Sequence, residues 1–288
     1  MRSGLMQGKT VLITGATAGI GRVTAHELAD DGAKVVFVAR NQVKAEATRA
    51  WIEQSTGNSS VEYLIADLSV QKQVRATAAL FASRFEGLDV LVNNVGGFFP
   101  KRIETADGVE MTFALNHLTP FLLTNLLIDS LRQKPASRVV TVSSGAHVGS
   151  TMRFDDLEGK RRYSGWSAYG QSKLGNLLFT YELSRRLSGA GITVNALHPG
   201  FVATDFGKSD GSFMGVMMRI AQKLGAISPE KGALTSIYLA SSAEVQGLTG
   251  KYFTKCKEVP SSPASMDRDS MRRLWELSCS MTGLPAAD

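Results

Sequence analysis

Short runs of β-branched and apolar residues alternate with longer helix-period stretches along this chain, and that alternation constrains its fold more than any other feature. The runs Thr10–Thr14, Lys34–Ala39, Val61–Ala66, Val90–Asn93, Arg138–Ser143, Thr193–Leu197 and Lys251–Thr254 read as strands. Helical patterns fall near Ile20–Asp31, Gln42–Gln54, Gln71–Phe85, Val109–Arg132, Trp166–Leu187, Pro229–Ala240 and Asp267–Thr282. Repeated strand–helix–strand units predict a parallel sheet. Most runs are apolar throughout rather than alternating, as a sheet covered by helices on both faces requires. The expected fold class is α/β: a doubly wound parallel sheet of about seven strands flanked by helices.

No linker, charge block or repeat divides the 288 residues, so 1–288 reads as one domain. Residues 148–166 interrupt the step from the fifth strand to its helix, and residues 205–228 follow the sixth strand. Ligands of such sheets bind beyond the carboxyl ends of the strands. Substrate specificity is therefore expected in these insertions, with 205–228 forming a substrate-side lobe. Phe213, Met217, Ile220 and Leu224 recur there at helical spacing; a lid face, core packing and a subunit contact all fit. Met214 and Met218 add adaptable surface. Phe98 and Phe99 are further candidates to line the cleft.

Composition removes several alternatives. Hydrophobic residues at 43% and charged residues at 20% suit an ordinary core. The net charge of +6 is dispersed; its densest cluster, Lys160, Arg161 and Arg162, reads as a solvated loop. Nucleic-acid binding would want a basic stripe with aromatic residues interleaved, and there is none. Cys256 and Cys279 form no C-x-x-C pair, so neither a disulfide framework nor a zinc site is expected, and reduced thiols fit a cytoplasmic setting. His26, His117, His147 and His198 lack metal-ligand spacing, so no metal is expected. Residues 1–9 lack the apolar core of a signal peptide. The most apolar stretch, Leu118–Ile128, is too short to span a bilayer.

The first strand runs into Thr14-Gly15-Ala16-Thr17-Ala18-Gly19-Ile20-Gly21. Glycines let backbone turn tightly and approach a pyrophosphate, and the helix that follows aims its first N–H groups at the phosphates. The second strand ends Val38-Ala39-Arg40, where an NAD site usually keeps an acidic residue for the ribose 2′-hydroxyl. Arg40 is either a surface arginine or a bidentate partner for a 2′-phosphate. The missing carboxylate tips the reading toward NADP(H), with NAD(H) possible. Asp67, followed by Leu68 after the third strand, either accepts from the adenine amino group or caps a helix starting near Ser69.

Tyr169-Gly170-Gln171-Ser172-Lys173 opens a strong helical pattern. Residues i and i+4 share a helix face, which sets phenol beside ammonium. A neighbouring cation favours the phenolate, so the tyrosine pKa is expected to fall. A hydroxyl so tuned can give a proton to a developing alkoxide or take one from an alcohol.

These motifs resemble the short-chain dehydrogenase/reductase family across essentially the whole chain. TGATAGIG is similar to its glycine motif and Asn93-Asn94-Val95-Gly96 to the motif after strand four, with valine where alanine is common. Asn116 in FALNHLTPF, Val142-Ser143-Ser144, Tyr169 with Lys173, and His198-Pro199-Gly200-Phe201-Val202-Ala203-Thr204 complete the set in the family's order. VSSGAH, WSAYGQSKLGNLLFTYELSRRL, VNALHPG and the tail GKYFTKC…RRLWELS resemble the retinol dehydrogenase-like branch. Two departures stand out. Thr119-Pro120 replaces the usual Gly-His, and there is no N-terminal membrane anchor, which implies a soluble bacterial-type member.

The resemblance implies a Rossmann-type NAD(P)-dependent oxidoreductase acting on a small carbonyl or alcohol, with a lipophilic substrate expected. It implies Tyr169 as general acid/base and Ser144, rather than Ser143, as the hydrogen-bond donor to the substrate oxygen. Lys173 would bind the nicotinamide ribose and lower the tyrosine pKa, and Asn116 would hold a water in a relay to that lysine. Gly15, Thr17, Gly19, Ile20 and Gly21 fall at the pyrophosphate loop, Arg40, Asp67 and Leu68 at the adenosine end, and Asn93 and Gly96 beside the ribose. Pro199, Gly200, Val202 and Thr204 fall against the nicotinamide. A homodimer or homotetramer built on helices 109–132 and 166–187 is also implied. Rival readings are a non-catalytic NADPH sensor, which would need no acid/base set, and a SAM-dependent methyltransferase, which would have no use for the Tyr–Lys pair.

Overall fold

β1 (Thr10–Thr14) is buried at all five positions and pairs in parallel with β2 (Lys34–Ala39) on one side and β4 (Val90–Asn93) on the other. A strand with both faces and both edges covered belongs to the middle of a sheet. The structure, a computed structural model, describes residues 4–201 and 227–285. Its sheet runs in the order β3-β2-β1-β4-β5-β6-β7-β8, with β3 Val61–Ile65, β5 Ser137–Val142, β6 Ile192–His198, β7 Lys251–Thr254 and β8 Lys257–Glu258. The seven expected strands are parallel. The eighth, antiparallel to β7, is two residues long and carries no hydrophobic pattern from which to read it.

Helices α1 (Gly19–Asp30), α2 (Gln42–Thr56) and α8 (Pro229–Ser241) cover one face of the sheet, where Ile13, Leu28, Phe37, Ile52 and Leu239 share a core. On the other face lie α3 (Gln71–Arg84), α7 (Gly165–Arg186) and α9 (Arg268–Thr282), around Leu12, Phe81, Leu91, Phe121, Phe179 and Trp275. Leu12 and Ile13 face opposite cores, as the two-residue period of a strand demands. Each such fully buried side chain contributes roughly 1.5–3 kcal/mol.

The helix expected over 109–132 is not continuous. It consists of a short turn α4 (Met111–Phe113), a π-helical turn (Ala114–Leu118), α5 (Thr119–Leu126) and α6 (Ile128–Arg132). Thr119 sends its N–H back five residues to the Ala114 carbonyl, and its hydroxyl bonds the same carbonyl and that of Leu68. Pro120 has no N–H to offer the carbonyl four residues earlier. π turns inside helices recur at functional sites, and this one carries Asn116.

α9 places Met271, Leu274, Trp275, Ser278 and Cys279 inward at helical spacing. Trp275 meets Phe121 edge-on at 5.0 Å and stacks with Phe179 at 6.1 Å, Arg186 lies 4.4 Å over the Trp275 ring, and Ser278 Oγ is 2.9 Å from His117 Nε2. The faces of α5 and α7 that carry Phe121 and Phe179 are thus closed by the chain's own last helix. The lobe at 205–228 lies outside the described residues except for Ile227 and Ser228. Among the described residues no helix is long and apolar enough to cross a membrane.

Candidate active site

The sheet order reverses between β1 and β4, and the glycine turn leaves β1 at that point. Gly15 and Gly19 both adopt positive φ, 71° and 53°, conformations open to glycine at little cost. A Cβ on Gly21 would collide with the Gly15 carbonyl and the Asn94 side chain. α1 begins with Ala18 as N-cap, which offers no side-chain acceptor to its first N–H groups. Thr17 and Ile20 are half-buried at this helix mouth. A tight glycine cradle opening on uncapped helix N–H groups fits a pyrophosphate, so the residues present suit a dinucleotide.

Asn94 holds the cradle to β4. Its side-chain amide donates to the carbonyls of Thr14 (2.9 Å) and Gly15 (3.0 Å), while Thr14 Oγ1 accepts from the N–H groups of Asn94 and Val95 at 3.0 Å each. Asn94, rather than the expected Asn93, does this work; the signal for it in the sequence is the second of two adjacent asparagines after a strand. Asn93 itself is buried and donates to Thr124 Oγ1 on α5 at 2.9 Å, so its side chain braces the sheet instead of lining the cleft. Gly96 lies open between Asn116 and Lys173: a Cβ there would sit 3.1 Å from Asn116 Oδ1 and 3.5 Å from Lys173 Nζ.

At the adenosine end, Arg40 is exposed directly after β2. Asn41, not Arg40, caps α2. Asp67 does not cap a helix: Val70 is the N-cap of α3, and Asp67 Oδ1 accepts from the N–H (3.0 Å) and hydroxyl (2.7 Å) of Ser69. That local turn holds the buried Leu68 at the end of β3.

Ser143 and Ser144 diverge. Ser143 is buried and donates to the Lys173 carbonyl at 2.8 Å, tying β5 to α7. Ser144 Oγ accepts from the Ala146 N–H at 3.2 Å and lies near enough to Tyr169 to lower the phenol's pKa. This division leaves Ser143 engaged in the scaffold. Asn116 uses its whole amide on protein: Oδ1 accepts from Gly97 N–H (2.7 Å), and Nδ2 donates to the Gly97 carbonyl (2.9 Å) and Ser172 Oγ (3.0 Å). It fixes the loop after β4 to α7.

Lys173 is buried and donates from Nζ to the Val142 carbonyl at 3.0 Å; burial brings its pKa down to about 8. Its ammonium lies 5.7 Å from the Tyr169 ring centroid. The Tyr169 phenol, expected to be acidified by that cation, is instead pushed up to about 12 by burial, against a lowering by the Ser144 hydrogen bond. Removing a phenolate from water raises its pKa, and the Lys173 ammonium 5.7 Å from the ring centre does not reverse that.

Phe98 packs against Trp166 (4.8 Å) and edge-on to Tyr169 (6.0 Å), forming an aromatic wall beside the Tyr169 ring. Phe99 turns its ring back over Gly97. Gln171, to which the sequence assigns no role, is buried on α7 and clamps the 148–166 insertion: it accepts from Arg153 N–H (2.9 Å) and donates to the Leu157 carbonyl (2.7 Å). Gly200 has φ 90°, and a Cβ there would meet Ile227 at 2.8 Å. Pro199 precedes it at the end of β6; Val202 and Thr204 lie outside the described residues.

A family model described as short chain dehydrogenase matches residues 9–214. The chain belongs to the short-chain dehydrogenase/reductase family. It is 42% identical to human retinol dehydrogenase 14, covering 98% of this chain and 88% of that one. It is 43% identical to human retinol dehydrogenase 13, covering 97% and 86%. Among solved structures it resembles an uncharacterized protein from Mycobacterium paratuberculosis, with 34% identity, a TM-score of 0.78 and coverage of 98% and 96%. A short chain dehydrogenase from Burkholderia cenocepacia in complex with NADP is also similar, at 28% identity, a TM-score of 0.69 and coverage of 86% and 96%. As a short-chain dehydrogenase/reductase the chain is an NAD(P)-dependent oxidoreductase, transferring hydride between a nicotinamide and the carbon of a small-molecule carbonyl or alcohol.

Proposed function

We propose that the chain is a retinal-class carbonyl reductase that prefers NADPH, with Ser144 and Tyr169 contacting the substrate oxygen. The observation that carries the reading is the buried Lys173 ammonium set 5.7 Å from the Tyr169 ring on one face of α7. The nicotinamide, when bound, supplies the hydride. The chain's own residues supply the rest. Tyr169, with its pKa raised to about 12, stays protonated at neutral pH and donates that proton to the oxygen of a carbonyl as it becomes an alkoxide. Ser144 gives a hydroxyl hydrogen bond to the same oxygen. Lys173, beside Gly96, would hold the nicotinamide ribose, and Asn116 would hold a water in a relay to that lysine. Gly15, Thr17, Gly19, Ile20 and Gly21 would hold the pyrophosphate, and Pro199, Gly200, Val202 and Thr204 would flank the nicotinamide.

Arg40, with no carboxylate at the end of β2, favours a 2′-phosphate by charge and by the bidentate geometry of guanidinium. The Phe98–Trp166 wall beside Tyr169 and the names of the relatives favour an extended apolar substrate. Free thiols at Cys256 and Cys279 suit a reducing compartment, and we place the protein in the cytoplasm on that ground. The test is a panel of retinals, aliphatic aldehydes, steroids and quinones, assayed with NADPH and NADH. The reading expects retinal to be reduced with NADPH preferred; turnover restricted to quinones or a preference for NADH would overturn it.

A further inference from the structure

His147 lies three residues after Ser144 and takes no part in the mechanism above, yet both of its ring nitrogens are engaged inside the protein. Nδ1 is 2.7 Å from the Ser144 carbonyl, and Nε2 is 3.2 Å from the backbone N–H of Ser262. A carbonyl only accepts and a backbone N–H only donates. The ring is therefore neutral, with its proton on Nδ1, and its depressed pKa agrees with that. The Ser144 carbonyl receives a second bond from the backbone N–H of His147, at 3.2 Å.

The partners of this imidazole are themselves fixed. Ser262 follows Ser261, whose Oγ is 2.7 Å from the Tyr181 hydroxyl on α7, the helix that carries Tyr169. On the other side, the turn after Ser144 rests directly on Gly170, next to Tyr169: a Cβ at Gly170 would run into Ser150 Oγ and the Ala146 carbonyl. A Cβ on Gly145 would touch His198 of β6 at 3.3 Å. The backbone of Ser144 is thus held between β6, α7 and the segment after β8, and His147 is the strut joining it to that last segment.

We propose that His147 is a positioning residue: it fixes the Ser144 peptide so that the serine hydroxyl stays in register with Tyr169, and it couples that register to the segment around Ser262. The proposal rests on the role given above to Ser144 and Tyr169. A misplacement of about 1 Å in such a group costs up to roughly 100-fold in rate.

The test compares His147→Ala, His147→Asn and His147→Gln in the full chain. Asparagine keeps a donor where Nδ1 stands; glutamine reaches toward Ser262 but loses the short bond to Ser144. Single-turnover NADPH oxidation on the best panel substrate should fall roughly 10- to 100-fold in the alanine and glutamine variants, with NADPH affinity within about twofold. The asparagine variant should stay within about fivefold of wild type. On a Ser144→Ala background, His147→Ala should add less than about a twofold loss, because residues acting through one another are not additive. An alanine variant within twofold of wild type, a full further loss on the Ser144→Ala background, or an asparagine variant no better than glutamine would overturn the proposal.

Two readouts need no turnover and keep a failed substrate reading separate from a failed strut. Nitrogen-15 NMR of the cofactor-free protein should show His147 protonated at Nδ1 and not at Nε2. Amide exchange across residues 144–150 should quicken in the alanine and glutamine variants but not in the asparagine variant. An Nε2–H tautomer, or exchange unchanged in the alanine variant, contradicts the proposal whatever the panel shows.

Discussion

The ammonium of Lys173 lies 5.7 Å from the centre of the Tyr169 ring and gives its hydrogen bond to the Val142 carbonyl. The pair shares a helix face, as a four-residue spacing requires, but burial acts on the two groups in opposite directions. It depresses the lysine to about 8 and raises the tyrosine to about 12.

This division predicts which group limits the alkaline side of carbonyl reduction. Tyr169 keeps its proton well above neutral pH, so the first loss belongs to Lys173, whose charge disappears as pH rises through about 8. The pH profile of kcat/KM for NADPH reports the free protein and should break downward near that value. In Lys173→Arg, where the cation persists, the break should vanish. A flat wild-type profile, or an unmoved break in the variant, would count against this assignment.

Acid stability should depend on a different buried group. His117 is enclosed by Phe113, Phe121 and Phe179, with Nδ1 unpartnered, and burial lowers its pKa to about 4. Its folded pKa lies below its unfolded one, so the native state binds fewer protons and stability drains away as pH falls from 6.5 toward 4. The loss amounts to roughly 3 kcal/mol by the bottom of that window. His147 and His198, also depressed by burial, act in the same direction. Urea titrations at pH 7 and pH 4 should show the drop, and His117→Gln should remove most of it. An equal drop in both proteins would exclude His117 as its source.

Arg40→Ala tests the adenosine end. Losing one charge-assisted contact to a 2′-phosphate, worth about 1.5–3 kcal/mol, should weaken NADPH roughly 10- to 100-fold while NADH changes little. Calorimetric titration of both cofactors measures this directly; equal effects on the two would return Arg40 to an ordinary surface residue.

Gly21→Ala tests the cradle. The added methyl would press on backbone at the Gly15 carbonyl, which cannot swing aside as a side chain can. NADPH affinity should fall roughly 5- to 150-fold from an overpacking strain of roughly 1–3 kcal/mol. Unchanged affinity would mean that the turn relaxes freely.

Much of this was legible in the residues. Uninterrupted apolar runs such as Val11 to Ile13 gave away a sheet buried on both faces, and the glycine spacing marked where its order reverses. Ser144 is separable from Ser143 in the sequence only by resemblance, whereas in the structure Ser143 is committed to the Lys173 carbonyl and Ser144 acts on the Tyr169 phenol. The direction of the Tyr169 shift was not legible, because sequence spacing reports a neighbouring charge but not the depth at which both groups are buried. Nor was the break at Asn116, since a π turn costs one residue of register inside an otherwise continuous helical pattern. α9 was foreseen as a helix, but its target could not be; only the folded chain brings Trp275 onto Phe121 and Phe179.

The most direct test of the account is the rate of hydride transfer from NADPH to retinal in single-turnover stopped flow, wild type against Tyr169→Phe. If the Tyr169 hydroxyl is the proton donor, the variant should bind NADPH normally and transfer hydride roughly 100- to 10,000-fold more slowly. A variant that reduces retinal at near wild-type rate would contradict it.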